Sequence, residues 1–341
     1  MKTITRLVLL AALLIVNTAT HAQNLIAVQN GATPKFYASL DSAITHALAG
    51  DTLYLPGGSY SFSTQISKRL HFVGVGYNPD STAVTLPTQI NGDISLLASA
   101  SGGSMTGINF TGKIYFGSGL PAENYTFFRC KINEFISFVI YGWSTIIKNN
   151  KFYENIIGNM SGGGELNYFI NNIFGGFGGF GGIGSNNIFK NNIFLNTSGG
   201  IGNSNNFENN IFISQTTFRI DRSIEFQNST FRNNLFLENI SFPYLTTNLG
   251  SGNIVNQTQA SIFINQTGNT FDYTHNYHLK STCPGKNAGT DGTDIGIYGG
   301  SYPWKEGAIP NNPHFQSVKI APKTDANGSL NVNIKVQAQD N

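Results

Sequence analysis

Charge is scarce in this chain: only 11% of its 341 residues are Asp, Glu, Lys or Arg. That excludes a helical repeat array, whose helices need long 3.6-period runs rich in Ala, Leu, Glu and Lys. Aspartate is scarcer still in the middle, where Asp221 alone occurs between Ile94 and Phe271. Cysteine is limited to Cys130 and Cys283. They are expected as two separate buried thiols, with a disulfide as the alternative. The apolar run LVLLAALLIV (7–16) is too short to span a bilayer. With Lys2 and Arg6 before it and Thr20-His21-Ala22 after it, it has the form of a signal peptide over 1–22. No cysteine sits at the cut, so a lipoprotein anchor is not expected and the mature chain would start at Gln23. Its removal takes the formal net charge from +2 to 0, which gives nucleic acid no basic surface. An exported chain is expected, in the periplasm, on the cell surface or outside.

What is abundant is glycine (39), phenylalanine (26) and asparagine. The stretch FINNIFGGFGGFGGIGSNNIFKNNIF (169–194) contains a formal GxGxxG at Gly176, Gly178 and Gly181. No helix start follows it, and no acid stands at the spacing a ribose requires. The glycine run 175–184 is expected instead to be a flexible excursion between repeat units.

The repeat unit is a six-residue block: FINNIF (169–174), FKNNIF (189–194), FENNIF (207–212) and FRNNLF (231–236), with IKNNKF (147–152) and FFRCKI (127–132) as weaker copies. The last residues of the blocks, from Ile132 through Phe152, Phe174, Phe194 and Phe212 to Phe236, are separated by 20, 22, 20, 18 and 24 residues. A period near 20 means a solenoid. The outer columns of each block are aromatic or aliphatic and suit strands. The middle columns are almost all Asn, which tolerates a left-handed backbone and bonds its own main chain. Each block is thus a strand, an Asn corner and a strand, and stacked blocks make an all-β parallel β-helix.

The ends carry their own signals. Leu40, Ile44, Ala47 and Leu48 fall at helical spacing, with Ser39 as cap, Asp41 in the first turn and Gly50 as terminator. They predict an amphipathic helix that closes the N-terminal end. After Gly300 the chain turns Pro-rich, and then FQSVKI (315–320) and LNVNIKVQA (330–338) alternate like two strands joined at Asp325-Ala326-Asn327-Gly328. This hairpin is expected to cover the C-terminal end or to dock to a partner. The division is signal peptide 1–22, β-helix with cap 23–300, and C-terminal segment with hairpin 301–341.

Together, the cap helix followed by Gly50-Asp51-Thr52, the Pro56-Gly57-Gly58-Ser59-Tyr60 turn, His71-Phe72-Val73-Gly74-Val75-Gly76, the Asn corners and the closing stretch GTDGTDIGIYGG (289–300) resemble the pectin-lyase-like right-handed parallel β-helix superfamily, in particular its secreted bacterial members. The resemblance implies a right-handed coil. In that superfamily hydrolases use clustered aspartates, and lyases use acidic calcium ligands with an Arg or Lys base. Asp221 alone among the coils argues against a hydrolase, and Gly289-Thr290-Asp291-Gly292 sits in the terminal segment without partners.

For a lyase the candidates are Arg219, Asp221 and Glu225, alternating on one strand face of RIDRSIEF (219–226), with Arg232 on the next pass. The competing explanation is a solvated salt-bridge ladder. For glycan binding without cleavage the candidates are Tyr141, Trp143 and Tyr153 beside Lys131 and Lys151, the lysines taken to hold one column of adjacent coils. Against this, Trp143 would be core and the lysines merely solubilising. His275, His278 and Cys283 lack the ligand number and spacing of a metal site. No cofactor is expected, calcium entering only with the lyase. The expected protein is a monomeric, non-membrane-spanning, non-catalytic surface or glycan-binding scaffold, with a polysaccharide as its candidate partner. The alternatives are a polysaccharide lyase and a purely structural or adhesive surface protein.

Overall fold

The computed structural model describes residues 25–338, apart from 118–119, 139–146, 163, 177–183, 198–199, 201, 214–226, 244–246 and 312. The expected signal peptide lies outside the described residues. The chain forms a parallel β-solenoid of about 8 turns with little helix. A 12-stranded sheet and an 11-stranded sheet form two of its walls, and a 3-stranded sheet adds a third over part of its length.

In a three-residue strand the middle side chain points opposite to its neighbours. The first sheet uses this to point Leu53, Phe72, Met105, Phe127, Phe152, Phe169, Phe189, Phe207 and Phe231 inward, paired coil to coil in parallel register. The second sheet contributes Ile90, Phe110, Ile132, Ile157, Phe174, Phe194, Phe212 and Phe236. The strand spacing forces facing rings into stacks, 4.8 Å between Phe169 and Phe189 and 4.6 Å between Phe194 and Phe212. The two stacks meet at an angle, as between Phe189 and Phe194, whose planes are tilted by 60°. Tilted contact of this kind suits the ring quadrupoles.

Asparagine does two jobs at the corner between these sheets. The second Asn of each pair turns inward and forms a buried ladder: Asn155, Asn172, Asn192, Asn210 and Asn234 each donate Nδ2 to the Oδ1 of the next, at 2.9–3.2 Å, ending on Asn253. Cys130 stands at the head of the ladder in place of Asn, its N–H donating to Asn155 Oδ1 at 2.9 Å. Cys130 and Cys283 are both free and buried. The first residue of each pair has positive φ, from Arg129 and Glu154 through Asn171, Asn191 and Asn209 to Asn233, and its side chain faces outward.

IKNNKF (147–152) is not a copy of this block. Phe152 pairs with Phe127 and Phe169 in the first sheet, whereas Ile147 pairs with Gly164 in the third. Asn150 belongs to a separate corner ladder, through Asn167 and Asn187 to Asn205. The true corner of that coil is Glu154-Asn155. The six-letter likeness arises because the chain turns sharply at two corners per coil, and Asn suits both.

At the N-terminal end, helix α1 (Leu40–His46) buries Leu40, Ala43 and Ile44, with Ser39 Oγ accepting from Ser42 N. It stops earlier than its spacing predicts. Asp51 accepts from Leu48 N, so Leu48 swings out to 70% exposure, and Lys68 Nζ caps the last carbonyls at Ile44, Thr45 and Ala47. A cation there also complements the helix dipole. No helix among the described residues is long and apolar enough to cross a membrane.

Beyond the last coil the chain forms a short hairpin, Phe263–Asn265 with Asn276–Leu279, and then runs back along the outside of the solenoid. Asn233 donates to Ala288 O, Asn191 to Gly296 O, Asn171 to Ile297 O and Gly299 O, and Arg129 to Ile309 O. The outward first residues of the corners therefore hold this strap. It carries the second hairpin, His314–Ile320 with Val332–Gln337, away from the C-terminal end. Pro313 and Phe315 instead border the same pocket as Tyr54 and Val73 of the first coils.

Candidate functional site

The outer face of the second sheet changes character along one column. Ile156, Ile173, Ile193, Ile211 and Leu235 are aliphatic and buried although they face away from the solenoid interior. From Ile173 to Leu235 they form a second core with Ile262, Leu279, Ile295 and Ile297 of the returning chain. Toward the N-terminus the same column becomes Lys131, Asn109, Gln89 and Ser59, and it is open.

On the open half, amides form rows across the coils. Asn109 donates to Gln89 Oε1 at 2.9 Å and Asn133 to Asn109 Oδ1 at 2.8 Å. Where the strap region begins, Phe271 and Tyr273 make a wall, and Lys131 Nζ lies 4.7 Å from the Tyr273 ring centre and 5.9 Å from that of Phe271. No carboxylate among the described residues pairs with this ammonium, and burial lowers its pKa below the ordinary lysine value. Lys131, Asn133, Ile156, Thr270 and Phe271 line a groove of about 310 Å³. Gly158 and Gly175 form part of its lining, and a Cβ at Gly158 would stand 2.2 Å from Asn133 O. A half-buried cation on aromatic rings, beside ordered amides, suits a polar ligand with an anionic group.

The expected pairing of Lys131 with Lys151 does not occur. Lys131 lies in the second sheet between Asn109 and Ile156, and Lys151 in the first between Thr126 and Tyr168. The misassigned IKNNKF block caused the error. Tyr153 stacks on Tyr302 at 5.5 Å. Tyr141 and Trp143 lie outside the described residues, as do Arg219, Asp221, Glu225 and most of the glycine run. Arg232 sits 3.9 Å from Glu208, which Lys190 meets at 2.8 Å and Thr290 bonds. Burial pushes the Glu208 carboxyl up, but Lys190, Thr290 and Arg232 together hold it below the usual carboxylate range. Arg232 is thus part of an ion-pair network.

His278 stacks on Tyr298 at 3.7 Å and His275 lies by the Tyr277 hydroxyl, while the Cys283 thiol accepts from Gly285 N. The three groups are each engaged separately. Buried Glu154 is paired with Arg129 at 2.9 Å beside the strap residues Ile309 and Asn311. Burial pushes its carboxyl up despite the guanidinium.

Gln89, Asn109, Asn133, Phe271 and Tyr273 were missed from sequence. A signal existed: the residue before each inward one changes from polar in Gln89-Ile90, Asn109-Phe110 and Lys131-Ile132 to aliphatic from Ile156-Ile157 onward. Phe271 and Tyr273 had no such signal, because the returning chain brings them there. No family model and no curated protein matches the chain. Fold and face together define a parallel β-solenoid with a strap along its outside and one open, amide-lined sheet face.

Proposed function

We propose that this is an exported glycan-binding scaffold of the pectin-lyase-like type, holding an acidic polysaccharide on the open half of the second sheet without cleaving it. The observation that carries the reading is Lys131, half-buried against Tyr273 and Phe271 beside the amide rows and with no carboxylate partner among the described residues. The lysine meets the carboxylate of a sugar acid, the amides bond hydroxyls, and the rings cover apolar sugar edges. A hydrolase would call for clustered acids, one of them held protonated as general acid, and a lyase for metal-binding acids beside its Arg or Lys base. Asp272, next to Tyr273, is instead held below the usual range by hydrogen bonds from Thr274, and the binding needs no cofactor.

The test is incubation of the chain from Gln23 with acidic and neutral polysaccharides, with and without calcium, measuring retention and new chain ends together. Retention of acidic polymers without new ends, weakened about tenfold in Lys131→Met, is the expected result. New ends abolished by Arg219→Ala or Asp221→Ala would replace this reading with a lyase. Neither retention nor new ends would leave a structural or adhesive role.

A further inference from the structure

We propose that the C-terminal hairpin is the contact surface of a two-fold dimer, in which one copy's hairpin lies face to face on that of a second copy. This departs from the monomer expected from sequence. Val318 pairs with Ile334 and Ile320 with Val332, while Lys319 pairs with Asn333 and Ser317 with Lys335. Side chains alternate along a strand, so Val318, Ile320, Val332, Ile334 and Val336 share one face and the lysines share the other. Those five aliphatic side chains are 37–60% exposed, and none belongs to any core cluster of the described residues. A two-stranded ribbon left alone is marginal in water.

Charge selects the occupant. The face carries no charged group, so its partner must offer an uncharged apolar face. A second copy does so, and face-to-face stacking turns Lys319 and Lys335 of both copies outward, where they do not oppose one another. Area selects the rest of the interface. Two strands of this length, about 3.4 Å per residue and about 4.8 Å apart, cover on the order of 300 Å². A stable interface takes about 800 Å² per partner. Further apolar surface lies at the hairpin's base, where Leu25, Tyr54, Val73, Val84 and Phe315 line a pocket of about 470 Å³. A two-fold axis through the middle of the hairpins sets the tip of one, with Ile320 and Leu330 exposed at 60% and 49%, into the base pocket of the other. Tip and pocket then meet twice. With an interface this small, association should be weak and should grow with concentration.

Sedimentation velocity of the chain from Gln23, from low to high micromolar concentration, tests this. A dimer should build up with concentration, disappear in Val318→Lys with Ile334→Lys, and persist in Lys319→Ser with Lys335→Ser. All four positions are on the exposed hairpin, and unchanged thermal unfolding would show that the fold is intact. As a second readout, Ile320→Cys combined with Val84→Cys should give an oxidised covalent dimer from tip-to-base contact. A monomer at every concentration, or a dimer that survives the lysine pair, overturns the proposal. So does a chain that stays monomeric but sediments with anionic phospholipid vesicles, which would place the hairpin face on a membrane.

Discussion

The outer column of the second sheet is finished in two ways. From Ile156 to Leu235 it is aliphatic and covered by the returning chain, and from Ser59 to Lys131 it is polar and open. Both halves keep the same parallel register and an apolar inner column, Ile90 and Phe110 in one and Phe194 and Phe212 in the other. The coil therefore depends on its inner column and its corners, and the outer column is free to become either a second core or a surface. The covered half shows what the sheet does with an extended chain laid on it. The open half offers the same geometry with hydrogen-bonding groups in place of aliphatic ones.

A charge should separate the halves most sharply. Ile193→Asp buries a carboxylate in the second core beneath the strap and should cost about 4 kcal/mol or more, read from urea unfolding. Ser59→Asp, in the open end of the same column, should stay within about 0.5 kcal/mol. Equal losses would break the comparison outright.

The two asparagines of one corner sharpen it further. Asn192→Ala removes the Oδ1 that accepts from Asn172 N at 2.8 Å and the amide that donates to Phe169 O. Stranding these buried groups should cost about 2–4 kcal/mol. Asn191→Ala loses the bond to Gly296 O and leaves alanine at φ 57°, which should cost about 1–2 kcal/mol. Its distinguishing result is faster proteolysis of the strap, over residues 283–313, with the coils still protected. Identical proteolysis of the two variants would remove the division of labour between inward and outward Asn.

The smallest effect lies on the open half. Lys131→Met should weaken retention of an acidic polysaccharide about tenfold, or about 1.4 kcal/mol, with unfolding unchanged. Because burial lowers the Lys131 pKa, its ammonium loses charge at a lower pH than an ordinary lysine. An anionic ligand needs the charged form, so affinity should fall as pH rises through that lowered value and stay level below it. An alkaline fall that persists in Lys131→Met would take the lysine out of the site.

Much of this architecture was legible because it repeats. Phe189-Lys190-Asn191-Asn192-Ile193-Phe194 announces two strands and a corner, and Ser39 with Leu40 and Ile44 announces the cap helix. Reading failed where one residue type serves two places: Asn149-Asn150 matches Asn191-Asn192 in letters, yet stands at another corner. That single slip placed Lys131 beside Lys151. The strand Ile26–Gln29, antiparallel to its neighbours, carries no repeat and was not foreseen.

By itself the sequence determined the coil, since inward aromatic stacking and corner amides are requirements each turn imposes on its neighbour and so recur in the letters. It also determined that the C-terminal strands alternate and pair. Only the tertiary structure decided which half of the second sheet is open, where the last hairpin lies, and that Lys131 meets Tyr273 and Phe271. Those contacts join residues far apart in the chain, 55 positions for Asn233 and Ala288 and 180 for Arg129 and Ile309, through a returning segment that occurs once, and a contact made once leaves no periodic trace.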